Sequence, residues 1–163
     1  MNKWIPDMKN LLLALLFTFP LITNASVIKA DSFKVELPTL FSEVTEEKSE
    51  GRTSWSFGSK HGTFIVIEGQ CAGCLVSTQS SVTELLDDPD YSEYGAVLLN
   101  VSGQDGLLVY VPTRKQVMLA SAEFMREDRK ITVQLVTRLG LKPAEVQMAN
   151  VELMRLLNAI EFN

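Results

Sequence analysis

The chemistry this chain could perform is concentrated in one turn. EGQCAGCLVST, residues 68–78, holds Cys71 and Cys74, the only two cysteines of 163 residues. A thiol pair at this spacing can be a redox centre, half of a metal site, or a covalent staple. Redox activation needs a thiol whose proton is loosened, usually by a helix N-terminus. A strand, a CxxC and then a helix superficially provide that order. However, Ser81-Val82-Thr83-Glu84 has the pattern of a capping box, so the helix starts seven residues beyond Cys74. The helix field fades within one turn. Zinc requires four ligands, and the lone histidine, His61, is separated from the cysteines by the predicted strand Thr63–Glu68, a span of about 20 Å. A staple needs only a tight turn. Ala72-Gly73 suits a type II turn, with glycine taking positive φ, and closing four residues stabilises by about 2 kcal/mol. The pair therefore reads as a local disulfide. A thiol–disulfide redox protein using the same residues is the alternative, and a small-ligand or metal carrier the third reading.

Elsewhere the reactive repertoire is thin. His61 lies in GSKHG, a predicted turn, and reads as a solvated residue. No nucleophile elbow, phosphate-binding loop or paired metal-binding histidines accompany it. No residue is assigned to catalysis or to a metal, and no cofactor is called for. The densest acidic stretch, DDPDYSEY, contributes Asp87, Asp88, Asp90 and Glu93. It lacks the alternating ligands and central glycine of an EF-hand, so it reads as a solvated loop, with contact to a partner or a cation as its functional reading. Met118, Met125, Met148 and Met154 read as core filling.

The elements that must position these residues begin after a targeting segment. Leu11–Ile22 is an apolar run preceded by Lys3 and Lys9 and followed by Thr23-Asn24-Ala25, a pattern of secretory signals cleaved after a small residue. Twelve residues cover about 18 Å, too short for a ~30 Å hydrocarbon core, and Pro20 interrupts them. Residues 1–25 are thus expected to be removed, with Met8 as an alternative start, leaving 26–163 as one domain without stable membrane insertion. The expected compartment is a periplasm, where the cysteines meet oxidising conditions. A net charge of −5 argues against nucleic acid, which demands a basic footprint. A protein is the expected partner.

In the mature part, SFKVEL (32–37) alternates like a half-buried strand ended by Pro38, and SEVTEEKSEG (42–51) reads as an acidic loop. Trp55 and Phe57 share one face of a second strand. TFIVIE (63–68) is apolar on both faces, as in a central strand. Segments 96–101 and 107–111 read as one strand pair, and 116–125 and 130–137 as another, around the turn REDR. Pro143 opens a final helix in which Val146, Ala149, Leu153, Leu156 and Ile160 make one apolar face. Hairpin-linked strands with helices at two places give an α+β fold: an antiparallel sheet flanked by a short helix and a C-terminal amphipathic helix.

This order, with FKVELP, WSFG, GTFIVIEG and the closing LMRLLNAIEF, resembles the PsbP/DcrB-like superfamily. The resemblance implies a sandwich of that type and a non-enzymatic binding or accessory role. It carries no catalytic residue to this chain. The lipid-anchoring cysteine found in many DcrB-like members has no counterpart here.

Overall fold

The computed structural model describes residues 26–74, 80, 83–84, 87, 95–110, 118–137 and 140–163. Among these residues, ten strands, β1 (Val27–Lys29), β2 (Phe33–Glu36), β3 (Thr45–Ser49), β4 (Arg52–Gly58), β5 (Thr63–Gln70), β6 (Gly95–Val101), β7 (Gln104–Tyr110), β8 (Met118–Arg126), β9 (Arg129–Val136) and β10 (Ile160–Phe162), accompany one fully described helix, α1 (Pro143–Asn158). Strands β3-β4-β5-β9-β8-β7-β6 form a seven-stranded sheet, and β1-β2-β10 a small second one. Every pairing is antiparallel. The α+β expectation holds in this form.

Alternation of residue type sets which face of the large sheet is buried. Trp55, Val66, Val133, Ala122 and Leu108 follow one another across β4, β5, β9, β8 and β7, and all are buried. Directly paired residues share a face, so this is one inward row. Ile28, Phe33 and Val35 of the small sheet and Leu153, Leu156 and Leu157 of α1 complete the same core. Aromatic side chains tighten it. Phe33 meets the Trp55 ring edge-on at 5.6 Å, and Phe41 meets the rings of Phe57 and Phe64 at 5.2 and 5.0 Å.

Several boundaries differ from the sequence reading, each for a physical reason. The acidic stretch 42–51 contains strand β3. It pairs with β4 from Thr45↔Ser56 to Ser49↔Arg52, yet all five of its residues are exposed. An edge strand held by backbone bonds needs no apolar alternation, so the pattern that reveals strands was missing. Short β1 and β10 are found because β2 recruits one on each side. Ile160 accordingly belongs to β10, not to the helix face, because α1 ends at Asn158. Pro143 does stand in the first helical turn, where its missing N–H costs nothing. The Lys142 amide donates to the Glu145 carboxylate at 2.9 Å. Of the four methionines, Met125 is buried, whereas Met148 and Met154 are exposed on the outer side of α1. The Met118 side chain lies outside the described residues. Ser80, Thr83, Glu84 and Asp87 are helical and exposed, in keeping with a short helix there.

Candidate functional site

Cys71 and Cys74 sit at the exit of β5. Their Cα atoms are 5.5 Å apart and their sulfurs lie at bonding distance, forming a disulfide. Gly73 has φ +79° with nothing within 4 Å of where a Cβ would stand, and the Cys74 amide donates to the Cys71 carbonyl at 3.3 Å. This is the turn that Ala72-Gly73 predicts, with glycine supplying the positive φ. The Cys71 amide also donates to the Asp128 carbonyl at 2.7 Å. The turn is thereby fixed to the β8–β9 hairpin, independently of the sulfur bridge.

Of the acidic candidates, Asp87 is exposed on a helical residue. Asp88, Asp90 and Glu93 lie outside the described residues.

His61 departs from the expectation of a solvated turn residue. Its turn joins β4 to β5, but its side chain is only 13% exposed, and Nδ1 lies 2.7 Å from the Glu152 carboxylate. Glu152 comes from the packed face of α1 and is 6% exposed. Its other oxygen accepts the Ser59 hydroxyl at 2.6 Å. A buried carboxylate left unpaired is costly, and here two side chains of one turn satisfy it. The cluster ties the β4–β5 turn to the helix. The sequence held a signal for it: Glu152 falls three residues after Ala149 and four before Leu156, inside the apolar arc. An acid at such a position implies a partner.

A second buried carboxylate holds the opposite end of β5. Glu68 is 4% exposed and accepts the Ser32 amide at 2.9 Å, the Ser32 hydroxyl, and the Asp31 amide at 3.4 Å. Phe64, Val66 and Glu68 alternate along one face of β5, so period-two counting places Glu68 inward as well. Beside it, Arg129 bridges to Asp31 at 3.1 Å.

These arrangements determine which chemistry is available. In a Ser–His–carboxylate relay the imidazole stands between hydroxyl and carboxylate and takes the hydroxyl proton. Here the carboxylate stands in the middle. The Ser59 proton is directed to Glu152, away from the imidazole, and the Ser59 oxygen accepts the His61 and Gly62 amides at 3.1 Å each. Ser59 is a turn-forming residue and not an activated nucleophile. Among the described residues, two cavities lie at turns, outside the inward rows. One of about 390 Å³ is lined by Gly58–Thr63 with Val136 and Thr137. The other, of about 300 Å³, lies between Asp31-Ser32, the Arg126–Arg129 turn and Asn163. Among the described residues no group of three or more His, Cys, Asp or Glu could hold a metal ion.

Exposed electrostatics are local. Lys34 donates to Glu36 at 2.6 Å. That bond holds the Glu36 carboxyl below its ordinary range and raises the Lys34 ammonium above its own. Lys48 is raised likewise by its hydrogen bond to Glu46, at 2.9 Å on edge strand β3.

The other edge is different in kind. Strand β6, GAVLLNV, has no charged residue and no proline. Val97 is 47% exposed and Leu98 36%. Val97 pairs with Leu108 and so continues the inward row Trp55–Val66–Val133–Ala122–Leu108. The inner face thus runs on past the layer that covers it.

No protein-family profile and no curated protein matches this chain. Among solved structures it is similar to a crystal structure of a protein from Bacteroides thetaiotaomicron, with a TM-score of 0.38 and 12% identity over 80% of this chain and 45% of that one.

Proposed function

We propose that this chain is an exported, periplasmic binding module without enzymatic activity, of the PsbP/DcrB-like type, that contacts a protein partner through edge strand β6. The carrying observation is the contrast between the two sheet edges. Charged residues on an edge strand deter pairing with another chain, and an uncharged apolar edge invites it. β3 carries Glu46, Glu47 and Lys48, whereas β6 exposes Val97 and Leu98 with no charge along its length. Strand addition then supplies backbone hydrogen bonds, and side chains on alternating faces add apolar contact. The central position of Glu152 between Ser59 and His61 supports the non-enzymatic reading. Export is supported by the apolar run Leu11–Ile22 between Lys9 and Ala25. No described helix is long and apolar enough to cross a membrane.

The test is photo-crosslinking in cells producing the full chain. A photoreactive residue at Val97 should give a protein adduct, and the same residue at Lys48 on β3 should give none. The recovered protein should begin at Ser26. Absence of any adduct at Val97 in exported protein would remove β6 as the contact.

A further inference from the structure

We infer that the cavity between the β1–β2 turn and the β8–β9 turn binds a small oxyanion, a carboxylate or phosphate group, between the guanidinium groups of Arg126 and Arg129. Its occupancy does not depend on the contact at β6. Along the hairpin β8–β9 the directly paired residues run Ala122↔Val133, Phe124↔Ile131 and Arg126↔Arg129. The first four are fully buried, and strict alternation carries the last pair onto the same inward face. Like charges directly opposite one another repel, and a cation turned toward a core is costly unless an anion meets it. Asp31 meets one of the two, accepting from Arg129 at 3.1 Å. The described ion pairs of this turn, Arg129 with Asp31 and with Asp128, leave Arg126 out.

Both arginines line this cavity of about 300 Å³, together with the acids Asp31, Glu127 and Asp128. Acids and cations are not equally placed. The Asp31 and Asp128 side chains are 77% and 73% exposed, and Glu127 is exposed at the tip of the turn. The Arg129 side chain is 28% exposed, and Arg126 is half-buried. Water and salt screen the carboxylates at the rim, so the less solvated charge facing the cavity is positive. Both walls are fixed before any ligand arrives. On one side the Cys71 amide donates to the Asp128 carbonyl at 2.7 Å. On the other, the Ser32 amide donates to Glu68 at 2.9 Å, and the Asn163 amide to the Ser32 carbonyl at 3.0 Å. Prior ordering of this kind lowers the cost of binding. A guanidinium is a planar fork of donors that matches the oxygens of a carboxylate or phosphate. Two forks on opposed residues, with Cβ atoms about 4.5–5.5 Å apart, reach the same anion. Ligand cavities begin at about 300 Å³, so this one suits a small molecule with few heavy atoms beyond the oxyanion.

The experiment titrates the full chain, disulfide intact, with sodium phosphate and separately with sodium acetate. Sodium chloride holds the ionic strength constant, and amide proton–nitrogen shifts are followed. One saturable site should appear, with shifts centred on Asp31, Ser32 and Arg126–Arg129. The anion that binds more tightly assigns the oxyanion as phosphate or carboxylate. Arg126→Gln should weaken that anion at least about tenfold, the loss of charge-assisted hydrogen bonds. Without anion it should melt like wild type, since Arg126 has no described ion pair to lose, and that is checked first. Arg126→Lys keeps the charge but not the fork, so its affinity should fall between the two. Absence of saturable shifts at these residues for both anions, up to about 0.1 M, where the screening length is about 10 Å, would overturn the inference. Shifts that survived Arg126→Gln unchanged, or that centred equally on Lys60, would overturn it too, because the anion would then be following surface charge. Arg126→Lys binding as tightly as wild type would remove the guanidinium fork as the recognising group.

Discussion

At the scale of single residues, the two buried carboxylates each have their partners beside them. Glu152 is met by Ser59 and His61, and Glu68 by Ser32 and Asp31. The disulfide adds covalent closure to a turn already fixed by backbone bonds, from Cys74 to Cys71 and from Cys71 to Asp128. Its contribution should therefore be small. Replacing both cysteines by Ser is expected to lower the unfolding free energy by at most about 2 kcal/mol, the entropy of closing four residues. Urea unfolding would show this as a lower midpoint with a nearly unchanged slope. A variant that failed to fold would mean that the bridge organises far more than its turn.

At the scale of elements, turn chemistry and close packing decide where glycine is required. Ser102 and Gly103 join β6 to β7 with φ of 49° and 81°, the two positive values of a type I′ hairpin turn. A Cβ on Gly103 would meet nothing within 4 Å, so its cost is backbone strain alone. Gly106 in β7 lies against Phe124 of β8, where a Cβ would stand 2.5 Å from the ring and 2.8 Å from the Glu123 carbonyl oxygen. Gly103→Ala should cost about 1 kcal/mol, and Gly106→Ala more, about 1–3 kcal/mol from overpacking. Thermal melts of the two variants give the order directly, and a reversed order would show that the β7–β8 contact yields easily.

The sequence made elements of this kind visible wherever one face is apolar. Phe33/Val35, Trp55/Phe57 and Phe64/Val66 alternate, and α1 repeats at three and four. β3 was hidden because all its residues are exposed, and β1 and β10 because three residues are too few to show a period. The Cys71–Cys74 turn was legible because it is local and glycine marks it. The Glu152 cluster was not, because its partners lie more than 90 residues apart in the chain. Sequence pattern places Glu152 on the buried face, and only tertiary packing says what meets it.

At the scale of the whole molecule, the two buried carboxylates hold opposite ends of one strand. Glu68 sits near the C-terminal end of β5 and anchors the β1–β2 turn, while Glu152 reaches the turn just before β5. Both border a single core cluster to which the two sheets and α1 contribute, so the described residues should unfold together. Glu68→Gln and Glu152→Gln should each cost about 1–3 kcal/mol, because an amide cannot accept every bond the carboxylate accepts. About six extended residues of β5, roughly 20 Å, separate Glu68 from the turn that binds Glu152. At that distance, with no shared partner, the double variant should show the sum of the two costs within about 0.5 kcal/mol. Glu152→Gln combined with Ser59→Ala should instead fall short of additivity, since both remove the same hydrogen bond. Urea curves for the three single variants, the two double variants and wild type complete both cycles. Coupling between the two glutamates as strong as that between Glu152 and Ser59 would mean that the two ends of β5 communicate through the core, and would make the two sites one cooperative unit.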